Sequence, residues 1–303
     1  MKILNFGSLN IDVVYQVNNF VRAGETISST KREIFPGGKG LNQSIALSKA
    51  GGKEVYHAGG IGIADGIFLK DILKSNGVKV DFVRELEGAS GHAIIQVNEK
   101  GNNCIILFSG ANSMQDEPFI DEVLSSFKEG DYLVVQNEIN NLSLIIEKAH
   151  KKKMVIFLNP SPFNEVINSI NLNYIDYFIL NEIEATDMCE CENLETKDLI
   201  MTLKNKFPFS KFVLTLGKDG VIYFDKQVTY SHGIYDVPVV DTTAAGDTFS
   251  GYFISSLSNG IKIEEALRLA SIASSLAVSK KGAAISIPTI NEVREAKLKP
   301  IRK

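Results

Sequence analysis

Tyr132-Leu133-Val134-Val135, Met154-Val155-Ile156-Phe157-Leu158, Tyr177-Phe178-Ile179-Leu180 and Phe212-Val213-Leu214-Thr215-Leu216 are apolar runs of strand length within residues 132–216. Helical patterns over 142–149 and 199–207 fall between them. Continuously apolar strands separated by helices specify a parallel sheet covered on both faces. Each run stops at polar or glycine residues: Gln136-Asn137-Glu138, Asn159, Asn181-Glu182 and Gly217. Ligands of such sheets bind beyond the carboxyl ends of the strands, so Asn181, Glu182 and Glu184 point toward one crevice. Helix capping is the competing role for these three, and for Glu182 it is preferred.

On the N-terminal side, residues 2–7 read as a short strand ending at Gly7-Ser8, and 9–17 as a second. Asn10 and Asp12 are two apart and share one face of that strand, as a solvated edge or a polyol-binding pair. Another short strand covers 31–35. Residues 92–97 and 104–108 flank Asn98-Glu99-Lys100-Gly101-Asn102-Asn103, which is a hairpin signature. With 11–17 and 31–35 it forms a small sheet apart from the main alternation. The expected fold is therefore α/β: three layers, a mostly parallel sheet with helices on both faces, and a small additional sheet. A single domain over 1–303 is expected.

Composition narrows the function. The chain has 303 residues, 44% hydrophobic and 22% charged, which is ordinary for a soluble globular protein. A net charge of −4 gives no electrostatic case for nucleic acid or an anionic membrane, so any phosphate site is local. Cys104, Cys189 and Cys191 are an odd set without framework spacing, as expected of reduced thiols. No apolar run suits a signal peptide or a membrane span, and a cytoplasmic location is the default.

Two glycine-rich turns carry the chemistry. Asp241-Thr242-Thr243-Ala244-Ala245-Gly246-Asp247-Thr248 follows an extended-looking segment over 235–240. It precedes apolar residues at helical spacing, so a helix begins near Gly246 or Asp247. Such a turn exposes backbone N–H groups and a positive dipole end, which suits a phosphate. Asp247 there is either a helix cap or a proton acceptor. The second turn is Pro36-Gly37-Gly38-Lys39-Gly40-Leu41-Asn42-Gln43, with a helix that stops at Gly51-Gly52. Lys39 and Asn42 face one way on its first turn, where a lysine opposes the helix dipole. Neither this segment nor Gly59-Gly60-Ile61-Gly62 fits a Walker A loop or a dinucleotide fingerprint.

Together these stretches resemble the ribokinase-like (PfkB) carbohydrate kinases. The resemblance rests on 7–12 (Gly-Ser-Leu-Asn-Ile-Asp), 37–43, Asn181-Glu182-Ile183-Glu184 and 241–248, in the family's order across essentially the whole chain. It implies an ATP-dependent transfer of the γ-phosphate to the primary hydroxyl of a pentose, D-ribose first. Asp247 is then the catalytic base, and the N–H groups of Ala244, Ala245 and Gly246 an anion hole. Asn10, Asp12, Gly38, Lys39, Gly40, Asn42 and Glu138 hold the sugar with Asp247. Asn181, Thr215, Gly217, Gly220, Gly246 and Ser271 line the ATP site; Ser271 stands where relatives often carry His or Asn. Glu184 acts on Mg²⁺ through water. Asp241, Thr243, Ala277, Lys280, Gly282 and Ser286 match a K⁺ site. The small sheet, from about 11–36 and 91–110, becomes a lid over the sugar, and covering its apolar face implies a homodimer. The alternatives are a kinase of fructose, deoxyribose or a nucleoside, and a sugar sensor without catalysis.

Overall fold

The apolar runs are adjacent parallel strands. The computed structural model describes residues 1–191 and 194–301. Its strands are β1 (Ile3–Phe6), β2 (Asn10–Gln16), β3 (Lys31–Gly37), β4 (Val55–Gly62), β5 (Lys79–Leu86), β6 (Gly91–Val97), β7 (Asn103–Phe108), β8 (Tyr132–Gln136), β9 (Val155–Asn159), β10 (Tyr177–Asn181), β11 (Lys211–Thr215), β12 (Val221–Phe224) and β13 (Thr229–His232). The α-helices are α1 (Lys39–Lys49), α2 (Ile67–Ser75), α3 (Glu117–Ser125), α4 (Leu142–Lys151), α5 (Glu165–Asn168), α6 (Glu182–Cys189), α7 (Thr196–Lys206), α8 (Ala245–Ser258), α9 (Ile263–Val278) and α10 (Ile290–Glu295).

The main sheet runs β13-β12-β11-β10-β9-β8-β1-β4-β5. It is parallel from β11 to β5, while β12 and β13 are added antiparallel at one edge. Side chains alternate between its faces, which explains two separate cores. Leu133 and Val135 of β8 pack with α3 and α4; Val134 between them packs toward α1 and α8. Strands buried on both sides need apolar residues at every position, hence the unbroken runs.

The four-stranded sheet has the order β3-β2-β6-β7. Its hairpin turn is built by Asn98, whose Oδ1 accepts from the N–H groups of Lys100 and Asn102, with Gly101 at φ 78°. The row Ile34, Val13, Ile94 and Ile106 is in register across all four strands. Ile34, Ile94 and Ile106 are 48%, 44% and 60% exposed, an apolar strip facing solvent. Lys281 pairs with Glu33 of β3 at 3.1 Å and tethers this sheet to the loop after α9.

Several expectations change. Residues 235–240 form no strand; Tyr235 makes a lone bridge with Pro300. β4 runs on through Gly59, Gly60 and Gly62, where a Cβ would meet neighbouring backbone oxygens at 2.7, 2.9 and 2.4 Å. Capping at the end of β10 belongs to Asn181 and Glu184, not Glu182: the Asn181 side chain accepts from Glu184 N–H while Glu184 accepts from Asn181 N–H.

Candidate active site

The site lies where β2, α1, β10 and α8 converge. α8 starts at Ala245, one residue before the range expected, and its N-cap is Ala244 in the left-handed conformation at φ 60° with no side-chain cap bond. Asp247 is therefore not the cap. It lies in the first turn, 7% exposed, with both oxygens engaged from α1. Asn42 Nδ2 donates to Oδ2 and Gln43 Nε2 to Oδ1, each at 3.0 Å. Close helix packing makes these bonds reachable. A Cβ on Gly251, one turn after Asp247, would meet the Ala46 Cβ at 2.3 Å and Leu47 N at 2.7 Å. Only glycine lets α8 sit so near α1.

At the turn before α8 the N–H of Ala245 donates to the Thr242 carbonyl at 3.2 Å. The N–H groups of Ala244, Gly246 and Asp247 make no hydrogen bond among the described residues. Of the proposed anion hole, Ala244 and Gly246 thus present open donors, and Ala245 has a partner to release.

Glycines also shape the other wall. Gly38, at φ 90°, caps α1, and a Cβ on Gly40 would strike Ser8 N at 2.3 Å. Glu138 accepts from Lys39 N–H at 3.0 Å and from the Ser8 hydroxyl. Asn10 is buried and its Oδ1 accepts from Asn112 Nδ2 at 2.7 Å. A Cβ on Gly37 would overlap the Asp12 carboxylate, so β3 crosses directly beside that group.

Three carboxylates and one ammonium share this space. Burial, then the charges of Glu138 and Asp247, push Asp12 up to about 7. Burial also raises Glu138, against the opposing pull of Lys39 and its hydrogen bonds. Burial works to lower Lys39, but Asp247, Glu138 and Glu184 outweigh it and hold the ammonium above its ordinary value. The result is a cluster of acids around one cation.

A cavity of about 220 Å³ adjoins it, lined by Lys39, Asn181, Glu184, Thr215, Ala244, Ala245, Gly246 and Asp247, with Asn159, Ser161 and Ser250 among its other walls. It shares Asn181, Thr215, Thr242, Ala245 and Gly246 with a second cavity of about 500 Å³. Gly217, Gly220 and Ser271 line that larger one together with Val239, Phe249 and Val278. A chamber with an apolar far end and a helix N-terminus at its near end suits a nucleotide: base outward, phosphates toward Asp247. Glu184 fits a Mg²⁺ role, since one oxygen is used in the capping box and the other has no hydrogen bond among the described residues.

The residues matched to K⁺ are only partly joined by direct bonds. Asp241 accepts from Thr243 N–H and Gly282 N–H, both at 2.9 Å, and ties the two loops together. Burial would raise its carboxyl, but these bonds and the Lys281 charge hold it below the ordinary range. Ala277 is buried at the end of α9, and Ser286 donates to the Ala283 carbonyl. The Lys280 side chain pairs with Glu292, which leaves its backbone alone for such a role.

Sequence reasoning did not single out Asn5, Ser8, Gln43 or Asn112 as site residues. The partners of these four side chains lie 32 to 204 residues away; Ser8 and Gln43 fall within the 7–12 and 37–43 motifs, while no local pattern signals Asn5 or Asn112. Gln136 and Asn159 carried one usable signal, as polar ends of apolar strands.

Comparison with known proteins agrees with this geometry. A family model described as pfkB family carbohydrate kinase matches residues 1–290. The ribokinase of Lactococcus lactis subsp. lactis is 31% identical over 303 residues, covering 99% of this chain and 98% of that protein. The ribokinase of Cryptococcus neoformans var. grubii, solved with ADP, superposes with a TM-score of 0.85 at 32% identity, covering 97% and 99% of the two chains. That of Arabidopsis thaliana, complexed with ribose and ATP, also gives 0.85, at 26% identity with 97% of each covered. By the family model over residues 1–290 and these full-length matches, the chain belongs to the pfkB family of carbohydrate kinases.

Proposed function

We propose that this enzyme is a ribokinase that moves the γ-phosphoryl group of ATP to O5 of D-ribose. The observation that carries the reading is the place of Asp247. It borders the nucleotide-shaped cavity and is bonded to Asn42 of the sugar-side helix. One carboxylate thus faces both substrates.

In this reading, Asn10, Asp12, Gly38, Lys39, Gly40, Asn42 and Glu138 hold the sugar hydroxyls. Asp247 accepts the proton of the attacking primary hydroxyl. Ala244 and Gly246 N–H groups meet charge on the transferring phosphoryl group, and Ala245 joins them by leaving Thr242. Lys39, the cation of the acid cluster, neutralises phosphate charge. Asn181, Thr215, Gly217, Gly220 and Ser271 seat ATP. Glu184 would hold Mg²⁺ through water, and the ion would supply charge neutralisation on the phosphates. K⁺ fits beside Asp241 and Thr243, with the Ala277, Lys280, Gly282 and Ser286 segment opposite, and would stiffen the loop that presents the N–H groups. The 303 residues work as one domain, and its small sheet is the lid. The enzyme acts in the cytoplasm, where ATP and reduced thiols prevail; fractionation of the source cells checks that placement.

The apolar strip of Ile34, Ile94 and Ile106 is covered by the lid of a second copy, giving a homodimer. Sedimentation should show the mass of two chains, and Ile94→Glu with Ile106→Glu should give monomers. A wild-type protein that sediments as one chain at micromolar concentration contradicts this.

For substrate choice, purified protein with ATP, Mg²⁺ and K⁺ is offered ribose, deoxyribose, fructose and adenosine, and ADP release is followed. Ribose should give the highest kcat/KM. Preference for another acceptor would sink the ribose assignment while keeping the kinase.

A further inference from the structure

Behind Asp247, away from the cavities, a file of side chains runs under α1 to the middle of the main sheet. Asn5, Gln43, Ser44, His57 and Gln136 are each at most 1% exposed. Gln43 Nε2 donates to Asp247 Oδ1, and Gln43 Oε1 accepts from Gln136 Nε2 at 2.7 Å. Gln136 Nε2 also donates to Asn5 Oδ1 at 3.0 Å. Asn5 Nδ2 in turn donates to the Gly40 carbonyl at 2.7 Å and to Ser44 Oγ at 2.8 Å. Ser44 Oγ lies 2.8 Å from His57 Nδ1. Burial holds His57 down at about 3, so its ring is neutral and Nδ1 can accept the Ser44 proton.

These bonds have one polarity. An ionised carboxylate only accepts, so the Gln43 amide must present its NH₂ group to Asp247. Turning Gln43 over would set oxygen against the carboxylate and NH₂ against the NH₂ of Gln136. Turning Gln136 over would set its oxygen against those of Asn5 and Gln43. The file keeps this polarity although it leaves Gln136 Oε1 buried without a hydrogen-bond partner among the described residues. A buried polar atom left unsatisfied calls for an explanation, and an oriented donor at the reacting carboxylate is one.

We propose that Gln43, locked in a single amide orientation by Gln136 and Asn5, is the positioning residue that aims the Asp247 carboxylate at the sugar hydroxyl. Gln43 lines neither cavity, so it acts through Asp247 rather than on substrate. The proposal rests on Asp247 being the proton acceptor.

Gln43→Met keeps the length of the side chain and removes the donor. With saturating ATP and ribose, kcat should fall roughly 30-fold, within the range of a general base's contribution. KM for ribose should stay within about twofold, since uniform binding is untouched. Gln136→Met should show a smaller loss of the same kind. The double variant should be no slower than Gln43→Met, because Gln136 acts through Gln43. A Gln43→Met protein that binds ADP normally and keeps the wild-type kcat overturns the proposal, as do losses that multiply in the double variant. If Gln43→Met does not fold, wild-type kcat in Gln136→Met overturns it. Asp247→Ala separates the two levels. Full activity there removes the base assignment itself, whereas an inactive Asp247→Ala beside an unaffected Gln43→Met removes only the positioning role.

Discussion

Replacing Asp247 by Ala or Asn should lower kcat by roughly 10³-fold, within the range general bases contribute, while nucleotide affinity changes by about threefold or less. The expectation follows from where the carboxylate sits. A helix-capping Asp could be exchanged for Asn at small cost, but Ala244 holds the cap position and Asp247 does not. The two substitutions should also differ. Asp247 accepts from Asn42 on one oxygen and from Gln43 on the other. Asn keeps an acceptor for one of these donors and turns an NH₂ group toward the other, whereas Ala leaves both buried donors without an acceptor, so both variants should be less stable than the wild type. Near-normal kcat in either variant contradicts the assignment.

The second large effect is on pH. Asp12 is raised from an ordinary carboxylate to about 7 by burial and by Glu138 and Asp247. The empty folded protein therefore binds a proton there that the unfolded chain has released. A group raised on folding stabilises the fold fully below its unfolded value of 3.8, and that contribution is lost as pH rises toward about 7. The ligand-free melting temperature should accordingly fall across this window. Ribose hydroxyls donate to the ionised form, so binding should release a proton and affinity should rise with pH. Between pH 6 and 8 the gain should be about tenfold, as the ionised fraction of a group near 7 dictates. Calorimetry in buffers of different ionisation enthalpy measures the proton directly. Proton uptake, or an affinity flat across pH 6–8, contradicts the role of Asp12 in holding the sugar.

The main sheet was legible because β8 to β11 are buried on both faces and carry unbroken apolar runs, whereas β1 and β4 carry the buried Asn5 and His57. β12 and β13 were not: β13 reads Thr229-Tyr230-Ser231-His232, an edge strand with half its surface in solvent and no apolar run. Residues 235–240 misled in the opposite way. Val237, Val239 and Val240 have strand propensity, yet Val237 and Val239 line the larger cavity and the segment joins no sheet. The site divides along the same line. Asn42, Gly246 and Asp247 are readable because consecutive residues at a glycine-rich turn do the work together. The Asn10–Asn112 and Gln43–Gln136–Asn5 contacts are set by which strands the topology makes neighbours. A single sequence carries no sign of that until the fold is known. Glu182 shows a local signal read too loosely: Asn181 and Glu184 stand three apart, as a capping box requires, and the box forms on that pair and not on Glu182.

The most direct test of the whole account is the chemical identity of the product made from ATP and D-ribose by the wild-type protein, read by proton-coupled phosphorus NMR. The predicted result is a phosphomonoester whose phosphorus couples to the two protons of a CH₂ group, with ADP formed in equal amount. That product shows that the primary hydroxyl accepted the phosphoryl group. Coupling to a single sugar proton, or release of inorganic phosphate with the sugar unchanged, would contradict it.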